Sequence, residues 1–455
     1  MTTVATVRRR VGLAVFGLAI AACGLDVVTS GNGPPLPGID AGPETSAALP
    51  EAGTTPDAAD AAIVDSGQFP CDAAVCVDDI AADYTHTCAA IRGARPRCWG
   101  NDSDGQLGLG LVPDGGADLD ASSAPRTVAV GSPMTGVSVG GLSTTGYAFS
   151  CSHTASGAVS CWGQDNFGQR GSGDAGGAVV LSVPTAAAIG SAVDVQAGGA
   201  HACARAADGG LSCWGYDNFG QLGRIVAGNI DRTPGSVTLR AAAEQVATGE
   251  AHTCARFADG TIDCWGYDGT GQLGRGGVVS ASPDAVPAPV SGVAGAIDMA
   301  AGYGHTCAAL AGGSVMCWGY DSNGQLGRGS PIGFSTTPAA VMLPAGASAV
   351  SVCAGYLHSC ALLVDGTVTC WGYNDKGQLG SGMVVAGTIM PSQSATPVAV
   401  TGLTGARAIT CGGHHTCAII QNSQAVCWGA NDVGQLGAGL PPDALPRPTP
   451  VSVAF

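Results

Sequence analysis

The segment AVSVCAGYLHSCALLVDGTVTCWGYNDKGQLG, residues 349–380, contains the pattern that organises this chain. Its Cys-Trp-Gly triplet occurs seven times and accounts for every tryptophan: Trp99, Trp162, Trp214, Trp265, Trp318, Trp371 and Trp428. Successive tryptophans are 63, 52, 51, 53, 53 and 57 residues apart. A period of about 50 residues is typical of repeat architectures, in which each unit buries its apolar face only against its neighbours.

Each repeat contains short apolar runs separated by Gly or Asp-Gly turns, and a further run opens with Thr-Pro, as at Thr337-Pro338 and Thr396-Pro397. The chain has 73 glycines, and only 11% of its residues are charged. These features favour many short strands over helices. The pattern predicts an all-β, seven-bladed β-propeller with four short antiparallel strands per blade, over residues 71–455.

The two ends of the repeat region look complementary. Residues 449–453 repeat the Thr-Pro run of residues 396–400, but no further unit follows, whereas residues 77–80 begin a unit without such a run. We therefore expect the C-terminal strand to join the first blade and close the ring, which would remove exposed sheet edges. On this interpretation, deleting residues 449–455 opens the ring.

The N-terminus resembles a bacterial lipoprotein export signal. Three arginines precede an apolar stretch, residues 11–19, that is too short to span a bilayer. The following Ile-Ala-Ala-Cys resembles a lipobox, which predicts a signal peptide over residues 1–22 and lipid attachment at Cys23. An ordinary secretory signal is the alternative.

The residues after Cys23 refine the expected location. Gly24 stands where an Asp is associated with retention in the inner membrane, so we expect an outer-membrane lipoprotein of the cell envelope. Residues 23–70 are rich in Pro, Gly, Ala, Ser, Thr and Asp, and contain few large apolar side chains. Such a segment cannot bury enough surface to offset its ordering entropy, and it is predicted to be a flexible tether.

The charge of the chain excludes several classes of partner. The formal net charge is −16, and Lys376 is the only lysine. Nucleic-acid binding requires basic residues that neutralise phosphates, so nucleic acid is not expected as a partner. Contact with the membrane is expected only through the N-terminal lipid.

No P-loop and no His-Glu-x-x-His motif occurs, and we expect a monomeric protein without enzymatic activity, cofactor or metal.

The order His-x-Cys-Ala, Asp-Gly, Cys-Trp-Gly, Gly-Gln-Leu-Gly resembles the regulator of chromosome condensation repeat in a bacterial, cysteine-bearing form. This resemblance implies a seven-bladed propeller that recognises proteins through one face. The eukaryotic namesake is a nucleotide exchange factor that binds chromatin, a role that the export signal and acidic charge oppose. A bacterial relative inhibits β-lactamase with aromatic loops.

These observations together predict an exported, lipid-anchored scaffold that binds a protein at the cell envelope. One alternative is an inhibitor of a secreted enzyme. Another is an enzyme that binds or cleaves polysaccharide at the channel mouth, which single-copy acid, His and Arg side chains clustered on one face would favour.

Fourteen of the 19 cysteines form seven pairs ten residues apart: Cys88 with Cys98, Cys151 with Cys161, Cys203 with Cys213, Cys254 with Cys264, Cys307 with Cys317, Cys360 with Cys370, and Cys417 with Cys427. A three-residue hairpin loop that ends in a left-handed Gly366 places Cys360 opposite Cys370. Cross-strand pairs need only a small adjustment to form a disulfide, and export permits oxidation. Buried free thiols and zinc sites are the alternatives.

Four cysteines remain. Cys71 and Cys76 are candidates to clip the start of the propeller. Cys353 and Cys411 lie one position apart in the repeat register and should face opposite sides of their strands, so their pairing stays open.

Six repeats carry a histidine two residues before the first cysteine: His86, His201, His252, His305, His358 and His415. Phe149 replaces it in the second repeat, so we expect a structural role, with the ring packed and bonded to backbone in a neighbouring loop. The alternative is a ring of histidines that faces the channel and binds a metal or an anion.

Residues 321–324, Asp-Ser-Asn-Gly, are interpreted as an Asx turn and not a calcium loop, because no bidentate Glu follows.

Four tyrosines follow Trp-Gly directly in consecutive repeats: Tyr216, Tyr267, Tyr320 and Tyr373. A closed ring places them on one face beside acidic residues, as a candidate binding face, since aromatic side chains are enriched at protein interfaces. The alternative is that they pack between blades.

Overall fold

The computed structural model describes residues 71, 75–111, 120–141, 147–174, 181–385, 388–389 and 391–455. The predicted signal peptide, the tether and Cys23 lie outside these residues. The described part of the chain forms seven four-stranded antiparallel sheets arranged as a seven-bladed β-propeller, as the repeat predicts. No helix in it is long and apolar enough to cross a membrane.

The strands of each blade follow one another in sequence, from the central channel outward. The inner strands of blades 1 to 7 are β1 (Val77–Ala82), β5 (Gly136–Gly140), β9 (Asp194–Ala197), β13 (Ala243–Thr248), β17 (Ala296–Ala301), β21 (Ala349–Ala354) and β27 (Ala406–Cys411). The second strands are β2 (His86–Ile91), β6 (Phe149–His153), β10 (His201–Arg205), β14 (His252–Phe257), β18 (His305–Leu310), β22 (His358–Leu363) and β28 (His415–Ile420).

The third strands carry the Cys-Trp-Gly triplets and are β3 (Arg97–Gly100), β7 (Val159–Gly163), β11 (Leu211–Tyr216), β15 (Ile262–Asp268), β19 (Val315–Asp321), β23 (Val368–Tyr373) and β29 (Gln424–Asn431). The outer strands are β4 (Ser122–Thr127), β8 (Leu181–Ala186), β12 (Ile230–Val237), β16 (Ser280–Pro289), β20 (Gly333–Ala340), β26 (Gln393–Ala399) and β30 (Asp443–Ser452). A small hairpin, β24 (Val384–Val385) and β25 (Thr388–Ile389), and two 3-10 turns, Ala227–Asn229 and Gln421–Ser423, complete the described elements.

The ten-residue cysteine spacing gives the register that the hairpin arithmetic predicts. Gly366 has φ +77°, and Cys360 lies directly opposite Cys370. Each of the seven predicted pairs is opposed in this way, and its Cα atoms lie 4.0–4.2 Å apart. The structure thus has seven disulfides in place of the free-thiol and zinc alternatives, and one of them joins the two middle strands of every blade.

These seven disulfides occur in blades 1 to 7 in chain order. Cys88 is bonded to Cys98, Cys151 to Cys161, Cys203 to Cys213, Cys254 to Cys264, Cys307 to Cys317, Cys360 to Cys370, and Cys417 to Cys427. All fourteen cysteines are buried. They are therefore part of the core of the propeller and not of a surface site.

The expected closure of the ring by strand exchange is wrong. Strand β30 pairs with β29 as the outer strand of blade 7, and blade 1 supplies its own outer strand, β4. The Thr-Pro run is thus the last strand of the blade that precedes it, not the first strand of the next. Deleting residues 449–455 would remove two of the four paired positions of this outer strand, Val451 and Ser452, together with Val453 and Phe455, which pack beside Trp99 in the joint between blades 7 and 1.

The joints between blades use one repeated set of hydrogen bonds. Each tryptophan is fully buried, and its indole N–H donates to the backbone carbonyl of the Gln in the loop that follows Cys-Trp-Gly in the preceding blade. The acceptors for Trp99, Trp162, Trp214, Trp265, Trp318, Trp371 and Trp428 are Gln435, Gln106, Gln169, Gln221, Gln272, Gln325 and Gln378, at 2.8–3.0 Å. The loop lies so close that a Cβ on Gly437 would stand 2.5 Å from the indole nitrogen of Trp99. The joint between blades 7 and 1 is therefore built like the others.

The repeated histidines belong to the same joints. Each Nε2 contacts the hydroxyl of a Ser or Thr in the following blade: His86–Ser150, His201–Thr253, His252–Thr306, His305–Ser359, His358–Thr416 and His415–Thr87, at 2.8–2.9 Å. These hydroxyls donate to the same Gln carbonyls, so the histidine is the donor to the hydroxyl. The expected role is structural, as found, but the partner is a side-chain hydroxyl and not backbone.

The remaining cysteines of the described residues form two further disulfides, Cys71–Cys76 and Cys353–Cys411. The second joins the inner strands of blades 6 and 7. Cys353 and Cys411 are one position apart in the repeat register, so their side chains point to opposite faces of their sheets. Because one face of each blade packs against the opposite face of the next, this offset brings the two sulfurs together. The same geometry lets Ser138 Oγ in blade 2 accept the N–H of Ala197 in blade 3, at 2.9 Å.

Candidate functional site

One face of the propeller carries both the loops between inner and second strands and the loops that follow Cys-Trp-Gly. Backbone hydrogen bonds join these two sets of loops in each of four consecutive blades. Tyr216, Tyr267, Tyr320 and Tyr373 donate their N–H to residues 200, 251, 304 and 357, at 2.7–2.9 Å. The structure therefore places the four sequence-predicted tyrosines on one face, which we call the mouth face.

Three of these four tyrosines contact a ring of a neighbouring blade, and Tyr373 does so through His414 of blade 7, at 6.2 Å. The ring of Tyr216 lies 4.5 Å from that of Phe167 in the preceding blade, and Tyr267 lies 4.7 Å from Phe219. Thr270 and Asn323 occupy the position of Phe219 in the next two blades. Packing between blades thus describes Tyr216, Tyr267 and Tyr373, and all four side chains remain only partly buried.

A second aromatic group lies closer to the axis, on the loops between inner and second strands. It consists of Tyr303, Tyr356, His414 and Tyr84, from blades 5, 6, 7 and 1. Tyr356 is the centre of the group, with its ring 4.5 Å from that of Tyr303 and 5.3 Å from that of Tyr84, both edge-on. These residues were not among the predicted site residues. A signal was available, since Gly-Tyr recurs at residues 302–303 and 355–356 two to three positions before the histidine.

The three tyrosine rings of this group line one side of the entrance of the central channel, which has a volume of about 300 Å³. Small residues of the inner strands form most of its wall, and Tyr84, Tyr303, Tyr356, Asp83 and Glu250 line it at the mouth face. No Lys, Arg or His is among the described residues that line it. Burial raises the pKa of Tyr84 and Tyr303 to about 12, and the charge of Glu250 contributes to both shifts. The channel mouth is therefore aromatic and acidic.

His414 connects the channel mouth to the outer loops. Its Nε2 lies 3.1 Å from the hydroxyl of Tyr84, and its Nδ1 lies 3.9 Å from a carboxylate oxygen of Asp375. Burial lowers the pKa of His414, with Asp375 opposing the shift. The Asp375 distance exceeds hydrogen-bond range, so in this structure the carboxylate does not orient the imidazole ring of His414 through a hydrogen bond. Acid and His side chains do cluster here, but the described channel wall adds no arginine.

The repeated histidines and Asp321, which the sequence offered as possible ligands of a metal or an anion, have structural roles. The joint histidines are fully buried, and burial lowers the pKa of His201 to about 3 and of His305 to about 4. They hydrogen-bond across the joints and do not line the channel. Residues 321–324 form a backbone turn, in which the N–H of Gly324 donates to the carbonyl of Asp321, and both carboxylate oxygens of Asp321 accept backbone N–H groups from Leu326 and Ile332.

Two further patterns are also explained by the fold. Residues 136–140 read Gly-Val-Ser-Val-Gly, but they form strand β5, without the strand–turn–helix that exposes a nucleophilic serine. The sulfurs of Cys353, Cys360 and Cys411 lie within 4.8 Å of one another, a spacing that would suit a metal. All three are engaged in disulfides, so they are not available as thiolate ligands.

Family models for the "Regulator of chromosome condensation (RCC1) repeat" match the chain in consecutive units. One model matches residues 192–221, 243–272, 296–325 and 349–378, and the other matches residues 208–256, 259–309, 312–362 and 365–419. Together they span residues 192–419, half of the chain. The chain belongs to the RCC1 repeat family.

Curated relatives agree with this assignment. The chain is 28% identical over 371 residues to the "Ultraviolet-B receptor UVR8" of Arabidopsis thaliana, which covers 79% of this chain and 78% of the receptor. It is 34% identical over 228 residues to the "Probable E3 ubiquitin-protein ligase HERC6" of Homo sapiens, which covers 49% of this chain but 20% of that protein. The second similarity therefore concerns only part of a much longer protein.

Solved structures share the RCC1 fold. The crystal structure of Prp20p from Saccharomyces cerevisiae has a TM-score of 0.66 at 21% identity and covers 80% of this chain and 86% of that chain. The same yeast RCC1 in complex with Kap60 gives a TM-score of 0.66 at 20% identity, covering 86% of both chains. Within this chain, Tyr303 and Tyr356 lie inside matched RCC1 repeats, whereas Tyr84 lies outside them.

Proposed function

We propose that this RCC1-repeat propeller is a binding scaffold that holds a protein partner on its mouth face. The observation that carries the proposal is the aromatic group Tyr84, Tyr303 and Tyr356 at the channel mouth, on loops held by a ring with one disulfide in every blade. Tyr303 is 37% exposed, and the other two rings are partly buried. Rigid, partly exposed aromatic side chains contribute contact area at low entropic cost and are favoured in the centres of interfaces.

Structural neighbours support a role in protein binding. The yeast relative Prp20p is described with binding properties to Gsp1p and histones, and it also forms a complex with Kap60. Those partners belong to the yeast protein. What transfers to this chain under the proposal is the use of an RCC1 propeller as a platform for another protein.

We further propose that the chain is exported and anchored to the cell envelope by a lipid on Cys23. Nine disulfides among the described residues support this location, because disulfides persist in oxidising compartments and are rare in the cytosol. Mass spectrometry of the N-terminal peptide tests the anchor. A diacylglycerol-modified Cys23 is expected, and an unmodified peptide that begins elsewhere would rule it out.

Affinity capture tests the binding face. The full oxidised chain is compared with a triple variant that combines Tyr84→Ala, Tyr303→Ala and Tyr356→Ala, using envelope extracts of cells that produce the protein. Val193→Ala with Val364→Ala is the matched control, because these side chains are 43% and 71% exposed at the opposite face, before strand β9 and in the loop between β22 and β23. A protein recovered by parent and control but not by the triple variant is expected. Equal recovery by all three would place the interface elsewhere.

The same experiment addresses the two alternatives from the sequence. If the captured protein is an enzyme whose turnover falls on binding, the scaffold acts as its inhibitor. Retention or cleavage of glycan without any captured protein would replace the proposal with a carbohydrate function. The acidic channel weighs against anionic polysaccharides, since the carboxylates of Asp83 and Glu250 would repel them.

A further inference from the structure

We propose that the channel mouth binds one arginine side chain that projects from the protein partner. This inference rests on the proposed function and specifies the partner's chemistry at that site. It follows from three features of the mouth: a buried carboxyl group without a counter-charge among the described residues, an arc of tyrosine rings and the absence of cations from the described wall.

Asp83 supplies the first feature. Its backbone N–H donates to the carbonyl of His86, and the residues that make the same bond in five other blades are all glycine: Gly198, Gly249, Gly302, Gly355 and Gly412. The fold thus accepts glycine here, and blade 1 adds a carboxyl group that the repeat does not need.

The described surroundings of Asp83 provide no counter-charge. Its side chain is 14% exposed, and its buried Oδ2 has no hydrogen-bond partner among the described residues. The nearest titratable nitrogen is His86 Nδ1 at 3.7 Å, but burial lowers the pKa of that histidine to about 3, so it is neutral. Burial raises the pKa of Asp83 to about 7, although the backbone N–H of Tyr84 favours the charged form. A buried carboxylate without a counter-charge is costly, and an incoming cation would remove that cost.

The tyrosines supply the second feature. Tyr84, Tyr303 and Tyr356 line one side of the mouth, and their edge-on contacts turn ring faces in different directions around it. Glu250 lines the mouth from blade 4 and lies near enough to Tyr84 and Tyr303 for its charge to raise the pKa of both. A planar guanidinium stacks on aromatic rings and pairs with carboxylates at once, which a lysine ammonium does less well.

Size and charge agree with this occupant. The channel volume of about 300 Å³ is at the lower end of ligand pockets and suits a single long side chain rather than a folded element. Because no basic residue lines the described wall, a guanidinium entering the mouth meets no like charge there. The formal net charge of −16 steers a basic partner toward the protein from a distance.

Capped pentapeptides test the inference on the full oxidised chain. The probe is acetyl-Gly-Ser-Arg-Ser-Gly-amide, and the matched probes carry citrulline, which is neutral and nearly isosteric, or lysine. Binding is measured by titration calorimetry and by ring-proton chemical shifts at about 150 mM salt, where long-range attraction is screened. We expect the citrulline peptide to bind at least about tenfold more weakly than the arginine peptide, and lysine to fall between them.

Three variants separate the site from general attraction to an acidic protein. Asp83→Gly restores the residue of the other blades, so it should fold and lose at least about fivefold in affinity. Tyr356→Leu should lose about threefold or more while Tyr356→Phe keeps its affinity, because stacking needs the ring and not the hydroxyl. Glu244→Gln, which removes a 46% exposed charge away from the mouth, should leave binding unchanged.

Equal binding of arginine and citrulline peptides would overturn the inference, as would equal losses in Asp83→Gly and Glu244→Gln. The proposed function fails separately. Capture of a mouth-dependent protein without arginine preference keeps the scaffold and rejects this site, whereas arginine-selective binding without any captured protein keeps the site and rejects the scaffold.

Discussion

Phe149 of blade 2 and Ala202 of blade 3 pack into one apolar cluster at the joint between their blades. In the other six joints these two positions hold a histidine and a serine or threonine that hydrogen-bond to each other. Where Phe149 replaces the histidine, Ala202 replaces the serine or threonine, so no hydroxyl is left without its histidine partner. The chain contains both versions of its own joint, which provides matched substitutions for testing it.

A double-mutant cycle at the next joint should show strong coupling. Thr253→Ala leaves the buried N–H of His201 without an acceptor and is expected to cost about 1–3 kcal/mol. His201→Phe alone forces a ring against the Thr253 hydroxyl. The double variant recreates the Phe149–Ala202 pair and should be closer to the parent than the sum of the single variants by about 1–2 kcal/mol. Denaturant unfolding measures all four proteins, and additive costs would contradict the prediction.

The same double variant should make the protein less sensitive to acid. The folded chain lowers the pKa of His201 to about 3, from an ordinary value of 6.5. Below pH 6.5 the unfolded chain binds a proton that the folded chain excludes, so His201 costs stability as the pH falls. Removing it should raise the stability of the variant relative to the parent by about 1.4 kcal/mol per pH unit between about pH 6 and 4. Thr253→Ser, which keeps the histidine, is the control and should follow the parent.

Asp83→Gly should show the opposite dependence on pH. Burial raises the pKa of Asp83 from 3.8 to about 7, so the folded chain holds a proton that the unfolded chain releases. The stability that this proton provides is complete below about pH 4 and is lost as the pH rises through about 7. The variant should therefore be more stable than the parent at about pH 8, by up to about 4 kcal/mol, and lose this advantage by about pH 4. Asp83→Asn should behave alike, and a constant difference at all pH values would argue against the buried carboxyl.

Cys370→Ser should cause disulfide exchange in blades 6 and 7. It frees the thiol of Cys360, whose sulfur lies within 4.8 Å of those of Cys353 and Cys411. A thiolate at that distance can attack the interblade disulfide and form a mixed pair. Peptide mapping should recover Cys360 bonded to Cys353 or Cys411. Cys213→Ser is the control, because blade 3 has no third cysteine and Cys203 should remain a free thiol.

Features that depend on residues close together in the chain could be predicted from the sequence. The hairpin register that opposes Cys360 to Cys370 depends on a turn of a few residues, and the repeat period sets the number of blades. The outer strand was assigned to the wrong blade, although a signal was present. Pro338 and Pro397 lie in outer strands, where the missing N–H costs no ladder bond, and that preference marks the Thr-Pro run as an edge.

The aromatic group at the channel mouth could not be predicted from the sequence, because its ring contacts form only when the propeller is closed. Tyr84 and Tyr356 belong to blades 1 and 6, far apart in the chain, yet their rings touch because both blades face the same axis. The position two residues before the joint histidine, or before Phe149 in blade 2, is tyrosine in four of the seven repeats: Tyr84, Tyr147, Tyr303 and Tyr356. The repeat therefore marks the position, but it does not show which of these rings meet across the axis. The pairing of Cys353 with Cys411 stayed open from the sequence, because repeat register alone does not show that neighbouring blades pack with opposite faces together.

Each blade is one uninterrupted stretch of chain, and blades 7 and 1 meet through the same Trp–Gln and His–hydroxyl contacts as five of the other six joints. The joint between blades 2 and 3 keeps the Trp–Gln bond and replaces the His–hydroxyl pair with Phe149 and Ala202. The joint beside the chain termini is therefore built like the common type of joint in this ring, whereas blades 6 and 7 carry an additional disulfide. Moving the termini to a different joint by circular permutation would break no strand pairing. In evolution, a duplicated or deleted segment of about 50 residues adds or removes a whole blade with its disulfide and half of each adjoining joint. The number of blades is then set by how many blades pack around the central axis.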